Sequence, residues 1–118
     1  MADVKIETVK SVTSGVLGRA ESTARDAKIV LDSSSRPQSD ALTNSEAFLG
    51  AVSSCGVTLI EMHAKETGVP LQRMSVTIAG ERLTTAAPPR FSRVTMTFEL
   101  EGVSQAQGDA LVETYRGR

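Results

Sequence analysis

Thr43 to Glu66 reads TNSEAFLGAVSSCGVTLIEMHAKE, and this stretch decides the fold. At 100° per residue, Phe48, Val52, Cys55, Leu59 and Met62 fall on one helical face. Leu49, Ser53, Val57, Ile60 and Ala64 form a second face of apolar or small residues. Only Ser54, Thr58, Glu61 and Lys65 remain as a stripe for water. A helix apolar on two sides is expected to be covered on two sides. Gly50, Ala51, Ser53, Ser54 and Gly56 are small enough to let another backbone approach. Thr43 and Glu46 have the spacing of a capping box, in which each side chain satisfies the other's free backbone N–H. Gly68 followed by Pro70 supplies the stop. The uncharged run from Ala47 to Ile60 is too short and hydroxyl-rich for a membrane span, which takes about 20 apolar residues.

Upstream, Val4 to Val12 reads as an exposed strand, rich in β-branched residues and charged at intervals. Val16 to Thr23 is a weaker strand, with Gly18 as a bulge, and Ala27 to Asp32 alternates as a third. The three make an N-terminal β-meander. Ser33 to Leu42 (SSSRPQSDAL) is a loop, read either as a connector or as a lid over the Cys55 region. Downstream, Leu71 to Leu83 sets Met74, Val76 and Ile78 on one face, and Thr84 to Arg90 is a loop. Phe91 to Leu100 sets Val94, Met96, Phe98 and Leu100 on one face of a strand. Ser104 caps a second helix with an apolar side of Ala106, Leu111 and Val112. Three strands, a long helix, two strands and a short helix give an α+β fold in a single domain, residues 1–118. A small sheet covers one face of the long helix. The simplest cover for the other is a second copy of the chain around a two-fold axis.

The chain carries 13 basic and 14 acidic residues and only 3% aromatics, which disfavours nucleic acid as a partner. One cysteine cannot make an internal disulfide. The N-terminal MADVKIETVK lacks the apolar core of a signal peptide, so a cytoplasmic location is expected. No set of residues has metal-ligand spacing around His63, and Gly15-Val16-Leu17-Gly18 is too sparse for a phosphate loop. Met62, Met74 and Met96 read as core filler.

The layout resembles the OsmC/Ohr family of thiol peroxidases. Asn44-Ser45-Glu46-Ala47-Phe48-Leu49-Gly50-Ala51-Val52-Ser53-Ser54-Cys55 is similar to that family's P-x-E-x-L-L-x-A-x-x-x-C helix start. Arg25 to Asp32 is similar to the strand ending in Asp before the family's loop. Ala64 to Leu71 with Val76 to Arg82, and Phe91 to Gly102 with Val103-Ser104, match its continuation, so the likeness spans roughly residues 17–115. It implies an intertwined homodimer with active sites at the subunit interface. It also implies reduction of hydroperoxides, preferably organic ones, by a peroxidatic cysteine, here Cys55, with no cofactor beyond an external thiol reductant.

A thiolate is the nucleophile in such chemistry, and an ordinary thiol of pKa about 8.5 is only a few per cent ionised at pH 7. A positive charge is therefore required. His63 lies eight residues beyond Cys55, about 12 Å along a helix, and is no partner. By resemblance the charge is an arginine of the N-terminal strands held by a glutamate. Arg19 is the first candidate, Arg25 the second and Arg36 the third. Glu46, nine residues before Cys55, reads as helix cap or as catalytic carboxylate; nine steps place it about 180° from Cys55 on the same helix. The family's proline is replaced by Asn44, and Ser45 stands where the classical peroxidases have their glutamate. The family's resolving cysteine, in a C-P pair after the last helix, has no counterpart in these 118 residues. A sulfenic acid at Cys55 would then need an external dithiol or the Cys55 of another chain. The alternative reading is a non-catalytic dimer of the same fold, a small-molecule-binding or structural stress protein with Cys55 as a packed core residue and an apolar interface cleft around Phe48 and Met62.

Overall fold

A computed structural model describes residues 3–83 and 90–116 of the chain. The expected loop Thr84–Arg90 lies outside the described residues except for Arg90. The element order is β1 (Lys10–Thr13), β2 (Arg19–Ala24), β3 (Ala27–Asp32), β4 (Leu42–Thr43), α1 (Asn44–Glu66), β5 (Arg73–Glu81), β6 (Arg93–Glu101) and α2 (Gln105–Arg116). This is the α+β order expected from the sequence. The chain divides into two compact units, the first ending at Phe48 and the second beginning at Leu49.

In the first unit β1, β2 and β3 form an antiparallel meander, and β4 adds to β3 in parallel. The β2–β3 hairpin closes through a two-residue turn, Arg25–Asp26, with Arg25 in the left-handed region at φ 56°. Hairpin turns of this length need positive φ to match the strand twist. Because the turn fixes Ala24 opposite Ala27, Arg19 falls directly opposite Asp32.

The first strand differs from expectation. It starts at Lys10, not Val4: in a register that sets Lys10 opposite Thr23, β2 ends at Ala24, opposite Val9, and offers nothing for the residues before Val9 to pair with. Val4 and Ile6 are 82% and 81% exposed, and an unpaired extended segment is not a stable strand. Gly18 is not a bulge. With Gly15 (φ 98°) and Gly18 (φ 82°) in the left-handed region, residues 14–18 form the β1–β2 turn. The last loop residue, Leu42, belongs to β4.

α1 begins as the sequence indicates. The Thr43 N–H donates to Glu46 Oε1 at 2.8 Å, and the Glu46 N–H donates to Thr43 Oγ1 at 3.2 Å. Gly68 (φ 72°) ends it, with the Val69 N–H returning to the Ala64 carbonyl at 2.9 Å.

In the second unit β5 and β6 form a two-stranded antiparallel sheet in which Met74 faces Leu100, Val76 faces Phe98 and Ile78 faces Met96. These residues are half-buried, while Ser75, Thr77 and Ala79 face water. α2 starts in its own capping box: the Gln107 N–H donates to Ser104 Oγ at 3.1 Å and the Ser104 N–H to Gln107 Oε1 at 3.0 Å. The apolar core closes around Ile60, Ala64 and Leu111, with Val69, Leu71, Met74, Phe98, Leu100, Val103, Val112 and Tyr115 packed against them. Ala106, expected on the apolar side of α2, is exposed.

Only Gly56, Ile60 and Ala64 of α1 are buried. These lie on the face of Leu49, Val57, Ile60 and Ala64; on the face of Phe48, Cys55 and Met62, Val52 and Leu59 are half-buried while Phe48 is 59% and Met62 58% exposed. A 23-residue helix of this composition also passes as a membrane span by length and hydropathy. Two of its hydroxyls bond within the helix, Ser53 Oγ donating to the Gly50 carbonyl and Thr58 Oγ1 to that of Ser54.

Candidate active site

Cys55 is exposed, in the middle of α1. Among the described residues the chain itself supplies no cover there, which counts against the alternative of a thiol packed in the core of its own chain. The turn that carries Cys55 is fixed from the other side. The Tyr115 hydroxyl donates to the Val52 carbonyl at 3.2 Å. Its ring lies so close to Gly56 that a methyl group there would sit 3.4 Å from the ring carbons. Phe98 supports the Tyr115 ring at a centroid distance of 6.1 Å. His63 is half-buried near the C-terminal end of α1. No group of three or more His, Cys, Asp or Glu residues able to hold a metal occurs among the described residues.

The first unit holds a concentrated charge cluster around Arg19. Its Nε donates to Asp32 Oδ1 at 2.7 Å and its Nη2 to Asp32 Oδ2 at 3.1 Å. The far edge of the guanidinium reaches a second carboxylate, Nη2 to Asp40 Oδ1 at 2.6 Å and Nη1 to Asp40 Oδ2 at 3.3 Å. The backbone N–H of Gln38 also donates to Asp32 Oδ2 at 3.1 Å. The Asp32 side chain is fully buried, that of Arg19 is 17% exposed and that of Asp40 is 71% exposed. Hydrogen bonds from Arg19 hold the Asp32 carboxyl below the usual carboxylate range, against the opposing effect of desolvation. The same guanidinium lowers Asp40. The two carboxylates in turn raise Arg19 further above its ordinary value.

The other sequence candidates are elsewhere. Arg25 occupies the exposed β2–β3 turn. Arg36 is exposed, its aliphatic chain lying over Gly18, where a Cβ would come within 2.9 Å of Arg36 Cδ. Glu46 is engaged in the cap of α1. Two residues were missed as partners of Arg19, namely Asp32 and Asp40. Asp32 was within reach of sequence reasoning, since a two-residue turn at Arg25–Asp26 pairs it with Arg19. Asp40 gave no signal, because nothing local says how a serine-rich loop folds back.

Solved structures share the fold of this chain. An OsmC-like protein from Mycoplasma pneumoniae superposes with a TM-score of 0.82 at 15% identity, over 97% of this chain and 82% of that one. The fold is OsmC-like. An organic hydroperoxide resistance protein OsmC from Legionella pneumophila matches with a TM-score of 0.68 at 18% identity, covering 98% of this chain and 85% of that protein. The organic hydroperoxide resistance protein OhrB of Bacillus subtilis matches at 0.67 and 12% identity, over 96% and 84%. No protein-family model matches the sequence, and no curated protein matches it. The OsmC-like fold was thus legible in short motifs that whole-sequence comparison does not register.

Proposed function

We propose that this chain is a thiol peroxidase of the OsmC and Ohr type that reduces organic hydroperoxides through Cys55. The observation that carries the reading is an exposed thiol in the middle of the central helix of a fold shared with organic hydroperoxide resistance proteins. In the proposed reaction the Cys55 thiolate attacks the terminal peroxide oxygen. The O–O bond breaks, an S–OH bond forms, and the departing alkoxide takes a proton to leave as the alcohol. An external dithiol then attacks the sulfenic sulfur, water leaves, and the resulting mixed disulfide is resolved by the second thiol of the reductant. Arg19 is the cation proposed to favour the thiolate, and Asp32 is the carboxylate that orients it, in place of a glutamate. The reading includes a cytoplasmic homodimer in which a second copy covers the exposed apolar face of α1, with no cofactor, nucleic acid or membrane involved.

One observation favours a second reading, a non-catalytic binding or structural dimer. Arg19 already faces two carboxylates, so it does not present a free cation. Single-turnover oxidation of Cys55 with cumene hydroperoxide and hydrogen peroxide side by side, followed by sulfenic-acid trapping, separates the two. Fast oxidation that prefers the organic peroxide and vanishes in Cys55→Ser is the expected result. Oxidation no faster than that of free cysteine leaves only the second reading.

A further inference from the structure

We propose that Tyr115 is the positioning residue of Cys55: its ring and hydroxyl together hold the turn of α1 from Val52 to Gly56 in helical form, so that the thiol keeps one direction. The inference rests on the peroxidase reading and adds a residue to its machinery. All its parts belong to the second unit. The turn is a poor helix former by itself. Gly50 and Gly56 give the backbone a freedom that a helix must remove. Ser53 and Ser54 between them favour caps and turns over helix interiors. Hydroxyls also share carbonyls with the helix ladder, Ser53 Oγ donating to that of Gly50 at 3.1 Å and Thr58 Oγ1 to those of Ser54 and Cys55 at 3.2 and 3.3 Å. Such back-bonding loosens and bends helices. In a segment of this composition, tertiary contact rather than propensity secures the helical form.

Tyr115 supplies that contact. Its hydroxyl donates at 3.2 Å to the Val52 carbonyl, which in an α-helix also accepts the N–H of Gly56. Its ring lies against Gly56, where an added Cβ would stand 3.4 Å from Cε2 and Cζ. One side chain thus grips both ends of a single turn, and Cys55 lies inside that turn, one residue before Gly56. Gly56 is buried and Cys55 is exposed, so the grip is on the core side and the thiol is free to meet a substrate. The grip is itself anchored. Tyr115 is half-buried, and Phe98 of β6 meets its ring at a centroid distance of 6.1 Å with 60° between the planes. Attack on a peroxide oxygen is directional, and a reacting group displaced by about 1 Å can lose about a hundredfold in rate. Fixing the turn therefore acts on the reaction as well as on stability. Tyr115 does so through the backbone of Val52 and Gly56.

The test is Tyr115→Leu, alone and combined with Gly56→Ala, with two measurements. The first is single-turnover oxidation of Cys55 by cumene hydroperoxide. The second is amide hydrogen exchange, as the ratio of rates at residues 56–58 to those at residues 62–64 of the same helix. Tyr115→Leu is expected to slow the oxidation about tenfold and to raise the exchange ratio by about as much. Gly56→Ala in that background puts the best helix former in place of the freest residue of the turn. It should recover most of both losses, although it restores neither the ring nor its hydroxyl, and a side chain that only filled the core would show no such rescue. Tyr115→Phe keeps the ring and removes the hydroxyl, and should change both readings about threefold. It decides by itself if Tyr115→Leu does not fold. If wild-type Cys55 reduces the peroxide and the variants do so at the same rate, or slow without recovery by Gly56→Ala, the positioning role is overturned and the peroxidase reading stands. If residues 56–58 loosen as expected but wild-type Cys55 oxidises no faster than free cysteine, the peroxidase reading fails and takes the positioning role with it.

Discussion

Ile60→Ala is the substitution that most directly tests how the second unit is held. Ile60 has no exposed surface and sits with Ala64 and Leu111, the other apolar residues buried among those described. The substitution removes three methyl-sized groups, a transfer loss of about 2.4 kcal/mol at about 0.8 per group. A core this small cannot collapse fully around the gap, and residual void costs about 24 cal/mol per Å3, which brings the total to about 3–4 kcal/mol. Alanine's better helix propensity returns about 0.4 kcal/mol. The net loss of about 3 kcal/mol is a large share of the 5–15 kcal/mol that folded domains typically have. Urea unfolding followed by far-UV circular dichroism reads it directly. With a denaturant slope of about 2 kcal/mol per molar, the midpoint falls by about 1.5 M. A loss below about 1 kcal/mol would refute the claim that the core closes on Ile60. Phe48→Ala is the control. Phe48 is 59% exposed, so the change should cost the isolated chain little, and should weaken only a state in which a second copy covers that face.

Three further expectations concern the first unit. Thr43→Ala removes one half of the α1 capping box and should cost about 1 kcal/mol, read as a lower melting temperature. Glu46→Gln keeps an acceptor for the Thr43 N–H and should leave both the melting temperature and the Cys55 oxidation rate unchanged; a tenfold slower oxidation would reinstate Glu46 as a catalytic carboxylate. Asp32→Asn should destabilise the protein at neutral pH and hardly at all in acid. The folded pKa of Asp32 is depressed, so its contribution is present above the unfolded value of about 3.9 and is lost as pH falls through the lower folded value. Urea midpoints at pH 7 and pH 2.5 measure this, and an equal gap between wild type and variant at both would disprove it.

The sequence by itself determined much of what depends on neighbours along the chain, though not the β1–β2 turn at residues 14–18. Helix period and caps set the limits of α1, because Thr43, Glu46 and Gly68 act within one turn of the backbone they satisfy. Alternation set the faces of β5 and β6, because side chains switch sides at every residue of a strand. The hairpin turn at Arg25–Asp26 set Arg19 opposite Asp32, even though sequence reasoning sought a glutamate for that role. Only the tertiary structure decided what depends on residues far apart. It shortened β1, since β2 runs out of partners at Ala24. It brought Tyr115 onto Val52 across 63 positions. It left Cys55 and Phe48 exposed, because the core closes on the Ile60 side of α1 and periodicity cannot say which of two apolar faces the chain will cover. And it folded the serine-rich loop back so that Asp40 becomes a second carboxylate on Arg19, where the resemblance implied one. A charge–charge contact between a strand and a loop is set by loop conformation, which no local pattern encodes.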